Sequence, residues 1–173
     1  MAPLRQTGPV DLYTLDIDVT RIDGTPLSLR TYRGSALLVV NVASHCGFTP
    51  QYRELEALHR RWQPQGLVVM GFPCDQFGHQ EPGDDRQIRE FCTERFDVTF
   101  PMFSKVDVNG ADAHPLYRFL KTQQGGVFGL QRIAWNFTKF LVDGNGSVVG
   151  RYGSRVSPKS IEPEIVKVLE SRQ

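Results

Sequence analysis

Three cysteines, Cys46, Cys74 and Cys92, are the side chains best able to do covalent chemistry in this chain, and their odd number does not suit a secreted disulfide framework. A reducing compartment fits better, and there a cysteine is either an inert core residue or a reactive thiol. Cys46 lies in Asn41-Val42-Ala43-Ser44-His45-Cys46-Gly47-Phe48-Thr49-Pro50, just after an apolar run and just before a helix start. A free thiol with a pKa of ~8.5 is only a few per cent ionised at neutral pH, whereas unpaired N–H groups and the positive end of a helix dipole favour the anion. Each unit of depression is worth ~1.4 kcal/mol. The competing reading is a small hydrophobe at a strand end, and the local sequence leaves both open. Cys92 shares one helical face with Ile88, Phe91 and Phe96, which suits a core residue, and Cys74 follows a strand beside Asp75. The absence of a Cys-x-x-Cys pair argues against a thioredoxin or an isomerase. A metal site built from Cys74, His79 and a distant histidine matches no familiar ligand spacing. His45 and His114 are read as local or surface residues for the same reason, and no cofactor is expected.

The elements that must position these thiols follow from the hydrophobic pattern. Leu12–Val19 and Pro26–Leu29 flank the turn signal Asp23-Gly24 and predict an N-terminal hairpin. Ala36–Val42 and Leu67–Phe72 are continuous apolar runs, as expected of parallel strands buried on both faces. Between them Thr49 reads as an N-cap with Pro50 at the first helical position, and Tyr52, Leu55, Leu58 and Trp62 keep one face apolar. A second helix begins at Asp84, with Gln87 completing a capping box, and a third spans His114 to Lys121. Phe140–Val142 and Ser147–Tyr152 flank Asp143-Gly144-Asn145-Gly146, the strongest hairpin signal, and a last helix follows Pro158. This order predicts an α/β fold, a mixed central sheet with helices on both faces.

Length and composition narrow the partners. With 173 residues, 40% of them hydrophobic, the chain is long enough for a single domain over 1–173 that needs no staples. The formal net charge is +1 with the cations scattered, which makes nucleic acid and acidic membranes poor partners. Met1–Gln6 has no apolar leader, and no run approaches the ~18 apolar residues of a membrane span. A cytoplasmic protein without stable membrane association is expected.

The run from Asn41 to Thr49 resembles the signature of the glutathione peroxidase family, in which the cysteine or selenocysteine attacks a peroxide. Cysteine at position 46 excludes the selenium-dependent form. Two further blocks are similar to that family, Gly71-Phe72-Pro73-Cys74-Asp75-Gln76-Phe77-Gly78-His79-Gln80-Glu81-Pro82-Gly83 and Trp135-Asn136-Phe137-Thr138-Lys139-Phe140-Leu141. The resemblance runs from about Tyr13 to Leu169. It implies a thioredoxin-like fold and a catalytic tetrad of Cys46, Gln76, Trp135 and Asn136. Chemistry agrees, because amide and indole N–H groups are neutral donors able to stabilise a thiolate and the charge developing as an O–O bond breaks. Taken singly, Gln76 reads as a loop residue, Trp135 as a core aromatic and Asn136 as a turn former. Three blocks in family order make that set of coincidences the weaker reading. The departure is Asp75, where the family usually has Asn; a carboxylate aimed at the sulfur would oppose its ionisation, so Asp75 is expected to point away.

Phe91-Cys92-Thr93-Glu94-Arg95-Phe96 looks like the block that carries the resolving cysteine in the thioredoxin-dependent branch. The resemblance then implies a cycle of thiolate attack on hydrogen peroxide or an organic or lipid hydroperoxide, sulfenic acid, a Cys46–Cys92 disulfide, and reduction by thioredoxin. It leaves Cys74 structural. A disulfide needs Cα atoms within about 7 Å, so a helix-packed Cys92 requires local fraying. Glutathione as reductant, or a redox-sensing module without turnover, are the rival readings. The short glycine-rich stretch between Lys121 and Trp135 lacks the insertion of the tetrameric members, which implies a monomer with an open rim.

Overall fold

The computed structural model describes residues 10–126 and 129–171. The Met1–Gln6 stretch and Val127 and Phe128 of the glycine-rich segment lie outside the described residues. Strands β1 (Asp18–Thr20) and β2 (Pro26–Ser28) form a short antiparallel ribbon. Leu12–Thr14, expected as strand, is a 3-10 turn instead. Its cause is Asp11, whose Oδ1 accepts the N–H groups of Tyr13 and Thr14 at 2.7 and 3.0 Å and so offers that backbone a local alternative to a ladder.

The main sheet has the order β4-β3-β5-β6 among the described residues. β3 (Ala36–Val42) and β4 (Leu67–Pro73) run parallel, with Ala36 opposite Leu67. β5 (Lys139–Val142) lies antiparallel on the other edge of β3, and β6 (Val148–Tyr152) antiparallel to β5. The helices are α1 (Gln51–Trp62), α2 (Asp85–Phe96), α3 (Pro115–Gln123) and α4 (Pro158–Glu170). β3 is central, and all seven of its residues are buried.

Alternation along β3 divides the core. Ala36, Leu38, Val40 and Val42 meet Tyr52, Leu55, Ile88, Cys92, Ile161 and Ile165 from α1, α2 and α4. Leu37 and Val39 meet Leu12, Tyr13, Leu116, Tyr117 and Leu120 from the N-terminal segment and α3. Each fully buried aliphatic side chain is worth about 1.5–3 kcal/mol, so a one-residue slip of β3 would swap both cores and is strongly opposed. β3 therefore ends at a reproducible place, Val42, four residues before Cys46.

Candidate active site

The first helix starts one residue later than its sequence signals imply. Pro50 stands at the N-cap position without a side-chain cap bond. Thr49, expected to cap, is used differently: its hydroxyl donates to the Ala43 carbonyl at 2.8 Å and accepts the Cys46 N–H at 2.9 Å. Tight backbone bonds from Thr49 N to Cys46 O and from Tyr52 N to Thr49 O wind the chain into α1. The hydroxyl thus braces the turn that carries the thiol, and a buried Thr before the Pro was the signal for it.

Cys46 is 7% exposed, enough for a small oxidant to reach and little enough to exclude bulk water. Its Sγ accepts the Phe48 N–H at 3.4 Å, at the N-terminal end of α1, where the helix dipole favours an anion. The turn is also gripped from the side. His45 N donates to the Gln80 carbonyl at 3.0 Å, and the Ser44 N–H and O–H donate to Glu81 Oε1 at 3.1 and 2.5 Å.

The 74–81 segment can fold back in this way because Gly78 (φ +65°) and His79 (φ +51°) are both left-handed. A Cβ on Gly78 would lie 3.2 Å from Trp135 Cη2, so glycine serves both the turn and the close approach of the indole. Gln76 is engaged by the 108–109 loop: its Oε1 accepts the N–H groups of Val108 and Asn109 at 2.7 and 3.0 Å, and its Nε2 donates to the Asn109 carbonyl at 2.9 Å. Four residues on, Gln80 Oε1 accepts from Asn136 Nδ2 at 3.1 Å while its own carbonyl holds His45. Gln76 supports the site at one remove, since Asn109 in turn brackets Ile133 N and O, two residues before Trp135.

Trp135 is half-buried, packs against Phe77 with ring centroids 5.8 Å apart, and borders both cores. Asn136 is fully buried, and its Oδ1 has no partner among the described residues. The segment that carries them is held by Asn41 on β3, a residue to which the sequence assigned no role: its Nδ2 donates to the Trp135 carbonyl at 3.2 Å and its Oδ1 accepts the Thr138 N–H at 3.1 Å. Phe137, buried between them, takes φ +60°, a strained conformation for a non-glycine residue that these bonds enforce. A polar residue inside an otherwise apolar central strand was the readable sign of Asn41.

The other two cysteines sit in different surroundings. Burial raises the Cys74 thiol to about 11, and its Sγ donates to Gln76 Oε1 at 3.5 Å. Burial likewise raises Cys92 to about 11, although the neighbouring Tyr52 hydroxyl offsets part of the rise. Asp75 is engaged within its own loop: its Oδ1 accepts the Glu81 N–H at 3.0 Å and its Oδ2 meets His79 Nδ1 at 3.2 Å. Desolvation works against its charge, yet the His79 and Glu81 hydrogen bonds hold its carboxyl below the ordinary value. Among the described residues no helix is long and apolar enough to cross a membrane.

The architecture is that of the thioredoxin-like fold. A thioredoxin-family thiol:disulfide interchange protein of Chlorobium tepidum superposes with a TM-score of 0.66 over 95% of this chain and 99% of its own, at 18% identity. The crystal structure of apo Trgpx superposes with a TM-score of 0.78 over 95% of this chain and 99% of its own, at 37% identity. A thiol at the strand-to-helix turn of such a sheet defines the class, a thiol oxidoreductase. The family model for glutathione peroxidase matches residues 13–121, more than half of the sequence. The glutathione peroxidase homolog BsaA of Bacillus subtilis is 51% identical over 152 residues, 88% of this chain and 95% of its own. The hydroperoxy fatty acid reductase gpx1 of Synechocystis is 52% identical over 153 residues, 86% of this chain and 90% of its own. The chain belongs to the glutathione peroxidase family, in its cysteine-containing form, and is a peroxidase.

Proposed function

We propose that Cys46 is the peroxidatic nucleophile and that the donors facing it are Gln80, Trp135 and Asn136, with Gln76 as a support of the loop behind them. The observation that carries this reading is the turn itself: Cys46 Sγ receives a backbone N–H at a helix N-terminus, and the same turn is tied to the segment whose Gln80 amide holds Asn136. The thiolate attacks the outer oxygen of a hydroperoxide, the O–O bond breaks, and the alcohol or water leaves with a proton, giving the Cys46 sulfenic acid. Neutral donors suit this step because charge passes from sulfur to the leaving oxygen while their own charge does not change.

Cys92 then resolves the sulfenic acid as a Cys46–Cys92 disulfide, and a dithiol protein of the thioredoxin class reduces it. Supporting this are the placement of both sulfurs in one buried cluster and the naming of a relative from Saccharomyces cerevisiae, 51% identical over 147 residues, as a glutathione peroxidase-like peroxiredoxin. Hydrogen peroxide and organic, including lipid, hydroperoxides are the substrates on this reading, and the enzyme works as a cytoplasmic monomer. Peptide mapping after one equivalent of peroxide tests it: a Cys46–Cys92 disulfide is expected, and a Cys46–Cys74 pair or a persistent sulfenic acid would overturn the resolving role.

A further inference from the structure

The resolving step needs a proton taken from a buried thiol and a proton given to a leaving hydroxide, and none of the residues named so far does either. Segment 80–84 joins the two cysteine-bearing parts: Gln80 and Glu81 hold the Cys46 turn, and Asp84 caps α2, which carries Cys92. Glu81 is only 1% exposed. Its Oε1 is fixed by both Ser44 hydrogen bonds, and its Oε2 is buried with no partner among the described residues. Glu81 also lines a cavity of about 380 Å³ with Ser44, His45, Ile88 and Phe91. Ile88 lies one turn before Cys92 on the same face of α2.

We propose that Glu81 is the proton relay of the resolving step, its free carboxylate oxygen taking the Cys92 thiol proton and returning it to the hydroxyl that leaves Cys46. The proposal rests on Cys92 being the resolving thiol. In the step the Cys92 S–H and Cys46 S–O bonds break, the S–S bond forms, and hydroxide plus the relayed proton leave as water. Cys46 sulfur is reduced, Cys92 sulfur is oxidised, and Glu81 ends as it began.

The groups facing Glu81 agree with this role. Ser44 and His45 approach from the turn, Asp75 and Lys105 from the loops after β4 and α2, Tyr52 from α1 and Cys92 from α2. Burial raises both Cys92 and Tyr52, and the Glu81 charge is near enough to add to the rise of each. Burial pushes the Glu81 carboxyl up to about 7 against the lowering bonds from Ser44, so both protonation states exist near neutrality, as a relay requires. His45 is the rival base, exposed at the mouth of the cavity with its ring 6.2 Å from Phe91.

The test follows disulfide formation in the full chain after one equivalent of hydrogen peroxide, between about pH 5.5 and 9. With Glu81 as base the parental rate levels off above about 7, whereas attack by free thiolate rises about tenfold per pH unit toward the Cys92 value. Glu81→Gln keeps an acceptor for Ser44, and its sulfenic acid is followed in the same experiment so that the disulfide step is read apart from Cys46 oxidation. Its disulfide step should slow about 100-fold near neutrality and lose the plateau. His45→Gln should keep it. A plateau retained by Glu81→Gln, or lost in His45→Gln, overturns the proposal. Should Glu81→Gln fail to fold, the parental profile decides alone, and a continued rise to pH 9 counts against the relay. A parental protein that forms no Cys46–Cys92 disulfide at any pH would remove the resolving assignment itself, an outcome distinct from the others.

Discussion

The turn that carries Cys46 and the helix that carries Cys92 hold their sulfurs in opposite ways. At the turn, backbone and side chains converge on the thiol: Phe48 N–H reaches Sγ, Thr49 braces the backbone, and Gln80 and Glu81 grip residues 44 and 45. In α2 the thiol is walled by aromatics, with Tyr52 stacked on Phe96 at 5.2 Å, and desolvation raises it to about 11. The turn is built to act in place. The helix keeps its thiol buried and protonated, out of reach of solvent while α2 stays folded.

The largest effect separates the two sulfurs directly. Cys46→Ser should cut peroxide turnover by about 1000-fold or more, whereas Cys92→Ser should still react with one equivalent of peroxide at the parental rate and then stall with thioredoxin as donor. Cys74→Ser should be nearly neutral. Next in size are the donors: Gln80→Ala and Trp135→Phe should each slow Cys46 oxidation by about 10–1000-fold, read by stopped-flow fluorescence. Gln76→Ala, which removes only the support of the 108–109 loop, should cost less than about tenfold, and the reverse order would restore Gln76 to the thiol.

A stability measurement sharpens the contrast. The folded Glu81 carboxyl titrates at about 7 rather than 4.5, so between these values the folded protein holds a proton that the unfolded chain has lost. The stability this lends is present in full below about 4.5 and is lost as pH rises through 7. Glu81→Gln does not titrate, so its stability relative to the parent should be similar near pH 4.5 and higher by up to about 3 kcal/mol at pH 8, checked by denaturant unfolding at both. The smallest effect concerns the opening of α2. Asp84 and Gln87 exchange two capping hydrogen bonds, at 2.8 and 2.9 Å. Asp84→Ala should cost about 1 kcal/mol of helix stability and so speed disulfide formation about fivefold, with faster amide exchange over residues 88–96 and unchanged Cys46 oxidation.

Much of this molecule was readable before its folding was known, and the reason is local. The continuous apolar run of β3, the capping box at Asp84, the Pro158 helix start and the Asp143–Gly146 turn each depend on residues a few positions apart, so their signals survive in the sequence. The Leu12–Thr14 segment misled because alternating apolar residues were outweighed by one Asp11 side chain. At the site, sequence alone singled out the motif around Cys46 and the neighbouring blocks, but it could not tell which of two glutamines four residues apart meets Asn136. That choice was made by the left-handed pair Gly78 and His79, which reverses the chain after Gln76 has already been spent on the 108–109 loop. Asn41, Thr49 and Glu81 acquired their parts in the same way, through hydrogen bonds spanning 97, 6 and 37 positions of sequence. Residue type and spacing determined what chemistry was available; which groups share a low-dielectric pocket, and so which thiol is poised and which is silenced, was decided only by tertiary packing, because desolvation depends on neighbours that the order of residues does not make adjacent.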